Sequence, residues 1–239
     1  MLRQSRYVVP NLITALNMFF GFMAIHFAIE GDFQAAIWSV YLATFLDLLD
    51  GRLARTLNAS SKFGVEMDSF SDLITFGAAP SVLMHQVFFQ DWGLAGLIIS
   101  FLPMLFSAFR LARFNVEAGR ADKRYMKGVP TPISAITLIS YVAFALALWD
   151  DRAPQWLAAL VVISVSLLMV SNLKFESNSI SRPRDLGESW KILPFALSIL
   201  SVIVYGPAAL FLFALLYISI GLIRWVLEHR PRPDEATAF

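Results

Sequence analysis

The chain contains no cysteine, which excludes disulfides and every thiolate metal site. Charge is scarce too: Asp, Glu, Lys and Arg make up 15% of the 239 residues, against about 25% in an ordinary soluble domain. The net charge is +1, so the bulk balance gives no footing for a nucleic-acid partner. His85 has no second histidine at ligand spacing, which leaves it a packing or interfacial role. There is no internal repeat and no stretch polar enough to form a separate soluble domain. A cleavable signal peptide is not expected either. The short basic stretch Met1 to Pro10 runs into an apolar block from Asn11 to Ile29, too long for such a peptide. That block reads as a retained first helix.

Apolar residues are what the chain has in excess. They make up 57% of it, 21 of them phenylalanines, and the mean hydropathy is +0.63. They fall in long blocks rather than in helical or strand alternation, which places the chain in a bilayer. A spanning helix needs about 20 mostly apolar residues. The sequence predicts an all-α, polytopic helix bundle in one integral membrane domain, 1–239, with spans at 11–29, 33–49, 64–90, 92–114, 131–149, 154–172, 190–205 and 207–227. Pro194 and Gly206 interrupt the seventh, so six or seven spans result if the last two segments form a hairpin that does not cross.

Lys and Arg in the connections set the orientation. With both termini in the cytoplasm, that side receives Arg3, Arg6, Arg52, Arg55, Lys62, Arg113, Arg120, Lys123, Arg124, Lys127, Lys174, Arg182, Arg184, Lys191, Arg230 and Arg232. The other side keeps Arg152 among Glu30, Asp32, Asp91, Asp150 and Asp151. Trp92, Trp149, Trp156, Trp190 and Trp225 lie near span ends, as interfacial anchors do. The longer loops 115–130 and 173–189 fall on the cytoplasmic side, and the tail 228–239 is expected to be mobile.

Chemistry is concentrated in 47–72, DLLDGRLARTLNASSKFGVEMDSFSD. Asp47 and Asp50 are three apart at the end of the second span, and Asp68 and Asp72 four apart at the start of the third. Each pair shares a helix face, and antiparallel helices bring the pairs to one level of the membrane. Four uncompensated carboxylates there are costly, and divalent cations remove the cost. An all-oxygen donor set selects Mg²⁺ or Mn²⁺, and two such ions would polarise a pyrophosphate. Gly51 and Gly64 permit close approach of a ligand, Ala54 keeps the helix face open, and Arg55 suits phosphate oxygens. On residue type alone, the same acids would also serve structural ion pairs or a proton or cation path. Glu66 points to another helix face and stands apart.

The spacing D-x2-D-G-x2-A-R-x8-G-x3-D-x3-D is kept at all eight positions, from Asp47, Asp50, Gly51, Ala54 and Arg55 to Gly64, Asp68 and Asp72. In this the chain resembles the CDP-alcohol phosphatidyltransferases. The resemblance implies that Asp47, Asp50 and Asp68 bind metal, and that Asp72 both contacts metal and acts as general base. It also implies that Gly51, Ala54, Arg55 and Gly64 lie along the CDP moiety. Lipid tails would enter sideways from the bilayer, and CMP would leave to the cytoplasm. The expected setting is a prokaryotic inner membrane, and the expected assembly a homodimer.

Over the first 135 or so residues the chain further resembles the phosphatidylserine synthase branch of that family. The shared elements are Pro10-Asn11-Leu12-Ile13-Thr14 with Asn17 and Gly21, Arg110-Leu111-Ala112-Arg113-Phe114-Asn115, and Lys127-Gly128-Val129-Pro130-Thr131-Pro132. The branch implies CDP-diacylglycerol as donor and L-serine as acceptor. Arg110 or Arg113 could hold the serine carboxylate, or could serve positive-inside topology and headgroup contact. Asn115 is an acceptor contact or a helix cap. Thr14 and Asn17 meet the nucleotide or pack helices. Glycerol phosphate or inositol phosphate would be the acceptor if a further cationic cluster were present.

Overall fold

Within lipid, a chain that is not a closed barrel must satisfy its backbone inside its own helices, and helices dominate here. The structure, a computed structural model, describes residues 2–56, 61–117, 125–149, 153–176, 201–202 and 206–228. Helix α1 (Leu2–Glu30) ends at Gly31, whose φ of 81° turns the chain. Helix α2 (Phe33–Thr56) starts at once, because the Asp32 carboxylate accepts the Ala35 N–H at 3.0 Å, a side-chain cap on an otherwise unpaired donor. Ala24 and Ala28 of α1 and Ala36, Val40 and Ala43 of α2 are all buried. Small residues at this spacing let two helices approach closely, where lipid supplies little hydrophobic drive.

Helix α3 (Lys62–Asp72) opens at Ser61, whose Oγ accepts the Gly64 N–H at 2.9 Å. The rod continues through a π-helical turn (Leu73–Ala78), α4 (Ala79–Met84), a second π turn (His85–Phe89) and a 3₁₀ turn (Gln90–Trp92). At Gly93, with φ of 52°, it doubles back as α5 (Gly93–Glu117). Two contacts pin this hairpin. Ser81 Oγ accepts the Met104 N–H at 3.1 Å, next to Pro103, which interrupts the ladder of α5. His85 Nδ1 lies 3.3 Å from Ser100 Oγ, the packing role its isolation implied.

Helix α6 (Thr131–Trp149) is buried on most faces, as an all-round apolar helix should be. Its Tyr141 packs on Phe88 and Phe211. Helices α7 (Gln155–Val170) and α8 (Ala209–Glu228) flank the bundle. Strands β1 (Tyr125–Lys127) and β2 (Lys174–Glu176) form a short antiparallel ladder, the one strand pairing among the described residues.

Large apolar side chains stand exposed along the outside, among them Phe19, Phe22, Leu97, Phe101, Trp156 and Leu212. Such a surface suits lipid, not water. Three stretches are long and apolar enough to cross a membrane, Val8–Glu30, Lys62–Glu117 and Thr131–Trp149, with shorter apolar helices at Gln155–Val170 and Ala209–Trp225. The 56-residue stretch holds the predicted third and fourth spans, folded at Gly93. The predicted second span is α2, whose later half carries Asp47, Asp50, Arg52 and Arg55. Apart from 201–202, the predicted seventh span lies outside the described residues, as do the tail from 229 and most of the 173–189 loop.

Candidate active site

Asp47 and Asp50 come from the last turns of α2, and Asp68 and Asp72 from the second and third turns of α3. One carboxylate oxygen from each of Asp47, Asp50 and Asp68 lies within 4.8 Å of the others. Asp50 is buried and the other two half-buried. Asp72 stands beside this trio and interacts with Asp47. Its Oδ1 is buried without a hydrogen-bond partner. A buried carboxylate oxygen left unpaired costs desolvation energy, and crowding three more acids against it adds repulsion. A divalent cation fits this donor set, which offers only hard oxygens.

Helix α1 braces the acids. Thr14, 6% exposed, places its Oγ1 2.8 Å from Asp50 Oδ2, where it donates to the carboxylate, and 3.1 Å from the Pro10 carbonyl. Ser71 Oγ donates to the Thr14 carbonyl at 3.1 Å, and Thr75 Oγ1 to that of Asn17 at 3.2 Å. The two helices therefore run parallel, locked in register on the face that carries Asp68 and Asp72. Gly21 makes this possible, since a Cβ there would sit 2.9 Å from Thr75 Cα. Thr75 lies in the first π turn, and π turns often mark functional sites.

Thr14 thus turns its hydroxyl to a carboxylate of the cluster. Groups that orient metal ligands typically tune affinity 10–100-fold. Thr14→Val is therefore expected to weaken Mn²⁺ binding by about tenfold or more in a metal titration followed by thermal unfolding. Unchanged affinity would mean that this hydroxyl only packs the helix. Asn17 is fully buried, and neither side-chain polar atom has a partner among the described residues.

Gly64 borders Ser61 Oγ and Asn11 Oδ1, at 3.1 and 3.3 Å from where its Cβ would be. Gly51 lies in α2 between the acids and Ala54 and Arg55, whose side chains fall outside the described set.

The three acceptor candidates separate sharply. Arg110, 9% exposed, donates from Nη1 to Thr131 Oγ1 at 2.9 Å, and its Nε is buried with no partner among the described residues. Its guanidinium lies near enough to Asp72 and to Tyr217 to interact with both. Arg113 instead donates to the Val170 and Lys127 carbonyls, at 3.2 and 3.0 Å. It closes the C-terminus of α7, where carbonyls lack helical partners. Asn115 donates to Ser69 Oγ at 3.0 Å and reaches Glu66 at 3.5 Å, tying α5 to α3. Sequence position alone could not separate these three. Thr131 was missed as a partner of Arg110, because the two lie 21 positions apart on different helices.

A family model described as CDP-alcohol phosphatidyltransferase matches residues 7–171, a range that contains all four aspartates and Arg110. A Helicobacter pylori protein named CDP-diacylglycerol–serine O-phosphatidyltransferase is 36% identical over 226 residues, covering 92% of each chain. A Bacillus subtilis protein of the same name is 33% identical, covering 70% of this chain and 89% of its own. An archaetidylserine synthase of Methanothermobacter thermautotrophicus is 32% identical over 72% of this chain and 70% of its own.

Proposed function

The chain belongs to the CDP-alcohol phosphatidyltransferase family, and we propose that it moves the phosphatidyl group of CDP-diacylglycerol to the hydroxyl of L-serine, giving phosphatidylserine and CMP. In this reading Asp72 takes the proton of the serine hydroxyl. The freed oxygen attacks the phosphorus next to diacylglycerol, the phosphoanhydride bond breaks, and CMP leaves. Asp47, Asp50, Asp68 and Asp72 hold two divalent cations, Mg²⁺ or Mn²⁺. When bound, these offset the negative charge of the pyrophosphate and of the leaving CMP.

The chain's own residues do the rest. Gly51, Ala54, Arg55 and Gly64 line the CDP moiety, with Arg55 against phosphate oxygens. Thr14 orients Asp50, and Asn17 offers its unpaired amide toward the same region. Arg110 receives the serine carboxylate through the N–H groups that Thr131 does not engage, as a two-pronged pair, which turns the serine hydroxyl toward Asp72. Arg113 and Asn115 hold helix ends together around the site. The site faces the cytoplasm at a prokaryotic inner membrane, in a bundle of about eight spans that works as a homodimer.

The observation that carries this reading is the cluster of Asp47, Asp50 and Asp68 carboxylates within 4.8 Å of one another, with Asp72 beside it and its Oδ1 buried without a hydrogen-bond partner. Serine as acceptor draws further support from the names of the relatives. A transporter would need the acids but gives no role to Arg110 beside them. The test is CMP release by the purified protein with CDP-diacylglycerol and Mn²⁺ or Mg²⁺, offering L-serine, glycerol 3-phosphate or inositol phosphate in turn. Release with serine is expected to exceed the others by at least about a hundredfold, because an unpaired buried polar group rejects a mismatched acceptor strongly. Preference for a phosphorylated alcohol would keep the chemistry and overturn the acceptor.

A further inference from the structure

Two loops far apart in sequence meet where α5 and α7 end and α6 begins. Lys127 pairs with Lys174 at the end of the β1–β2 ladder. The Gly128 N–H then donates to the Leu173 carbonyl at 2.8 Å, and the Val129 N–H to the Leu168 carbonyl at 3.1 Å. Arg113 closes the junction from α5 through the Lys127 and Val170 carbonyls. Gly128 has φ of 74° and no room for a side chain, since a methyl group would run into the Met169 carbonyl. Val129 is fully buried with Leu173 and Ile218. The next turn begins α6 with Thr131, itself fully buried, and its hydroxyl holds Arg110.

Every link in this path is a hydrogen bond or a packed backbone, and it ends on the Arg110 guanidinium, which lies near Asp72. We propose that Thr131 is a positioning residue for the acceptor: fixed by the strap of residues 125–131 against the end of α7, it holds Arg110 by Nη1 so that the remaining N–H groups of the guanidinium receive the acceptor carboxylate. This rests on the reading of serine as acceptor. Thr131 would touch neither substrate. Its hydroxyl fixes Nη1 of the guanidinium, whose Nε has no partner among the described residues, and the strap keeps that hydroxyl in place.

The experiment measures CMP release with L-serine and with serinol, which keeps the hydroxyl and the amine but lacks the carboxylate, for the wild-type protein, Thr131→Val and Thr131→Ser. Losing a hydrogen bond to a charged group should raise KM for serine in Thr131→Val roughly tenfold. KM for CDP-diacylglycerol and kcat at saturating serine should stay within about twofold. The serine-to-serinol ratio should fall by the same roughly tenfold. Thr131→Ser, which keeps the hydroxyl, should restore all three. Unchanged KM for serine in Thr131→Val, equal losses with serine and serinol, or a Thr131→Ser variant as impaired as Thr131→Val would each overturn the proposal while leaving the acceptor reading intact. If Thr131→Val does not fold, Thr131→Ser with wild-type constants beside Thr131→Ala with a tenfold higher serine KM would support it, and equal constants would sink it. A wild-type protein that releases no CMP with serine would overturn the acceptor reading, and this proposal with it.

Discussion

Asp72→Asn is expected to cut serine-dependent CMP release by at least about a thousandfold, since a positioned general base alone supplies roughly 10²–10⁴ and this residue would also serve as a metal ligand. The substitution is nearly isosteric. It keeps the packing of α3 and removes only the negative charge and the ability to accept a proton. Arg110 lies near enough to Asp72 to interact with it, which places this acid to meet a hydroxyl on an acceptor held there. Its buried, unpartnered Oδ1 has no structural bond to lose. The protein should therefore fold, and thermal unfolding in detergent should show it. Activity within tenfold of wild type would remove Asp72 from the role of base.

Metal removal is the second large effect. Chelation should abolish turnover, and Mg²⁺ or Mn²⁺ should restore it. A clearer sign comes from stability. Carboxylates within 4.8 Å of one another repel by about 3 kcal/mol or more per pair at an effective dielectric of about 20. Metal-free wild-type protein should then be less stable than metal-free Asp68→Asn, which has lost two of these repulsions. Adding Mn²⁺ should reverse the order, because binding to the folded state raises Tm for the wild type and Asp68→Asn has lost a ligand. Melting curves of both proteins with and without Mn²⁺ read this crossing. If Asp68→Asn is destabilised without metal, or gains as much Tm from Mn²⁺ as wild type, the cluster is not a metal site.

Much of the site was legible because its chemistry fixes spacing. Asp47 with Asp50, and Asp68 with Asp72, each recur at a helical interval, and the apolar lengths on either side bring the two helices antiparallel. The break between the third and fourth spans was readable too, expected at Asp91 and found two residues on, at Gly93. What stayed hidden lies between elements. Thr14 meets Asp50 across 36 positions, and nothing in an apolar helix says which neighbour a lone hydroxyl will find. The π turns at Leu73–Ala78 and His85–Phe89 shift the helical period at places that composition does not encode. Arg110 and Arg113 look alike in a loop-flanking basic run, yet one faces the acids and the other caps α7. Their separation by three residues, close to one helical turn, does not predict so different a fate. Gly128 stands out only as part of a shared run, and its need for a left-handed backbone under the Met169 carbonyl depends on α7, some 40 positions away.

The measurement that tests the account most directly follows labelled L-serine into lipid. Purified protein would be given CDP-diacylglycerol, Mn²⁺ and carbon-labelled serine, with CMP counted in the same reaction. The account predicts labelled phosphatidylserine and CMP in equal amounts, neither formed without metal nor by Asp72→Asn. CMP without labelled lipid, or cation flux into liposomes from folded protein that makes neither product, would contradict it.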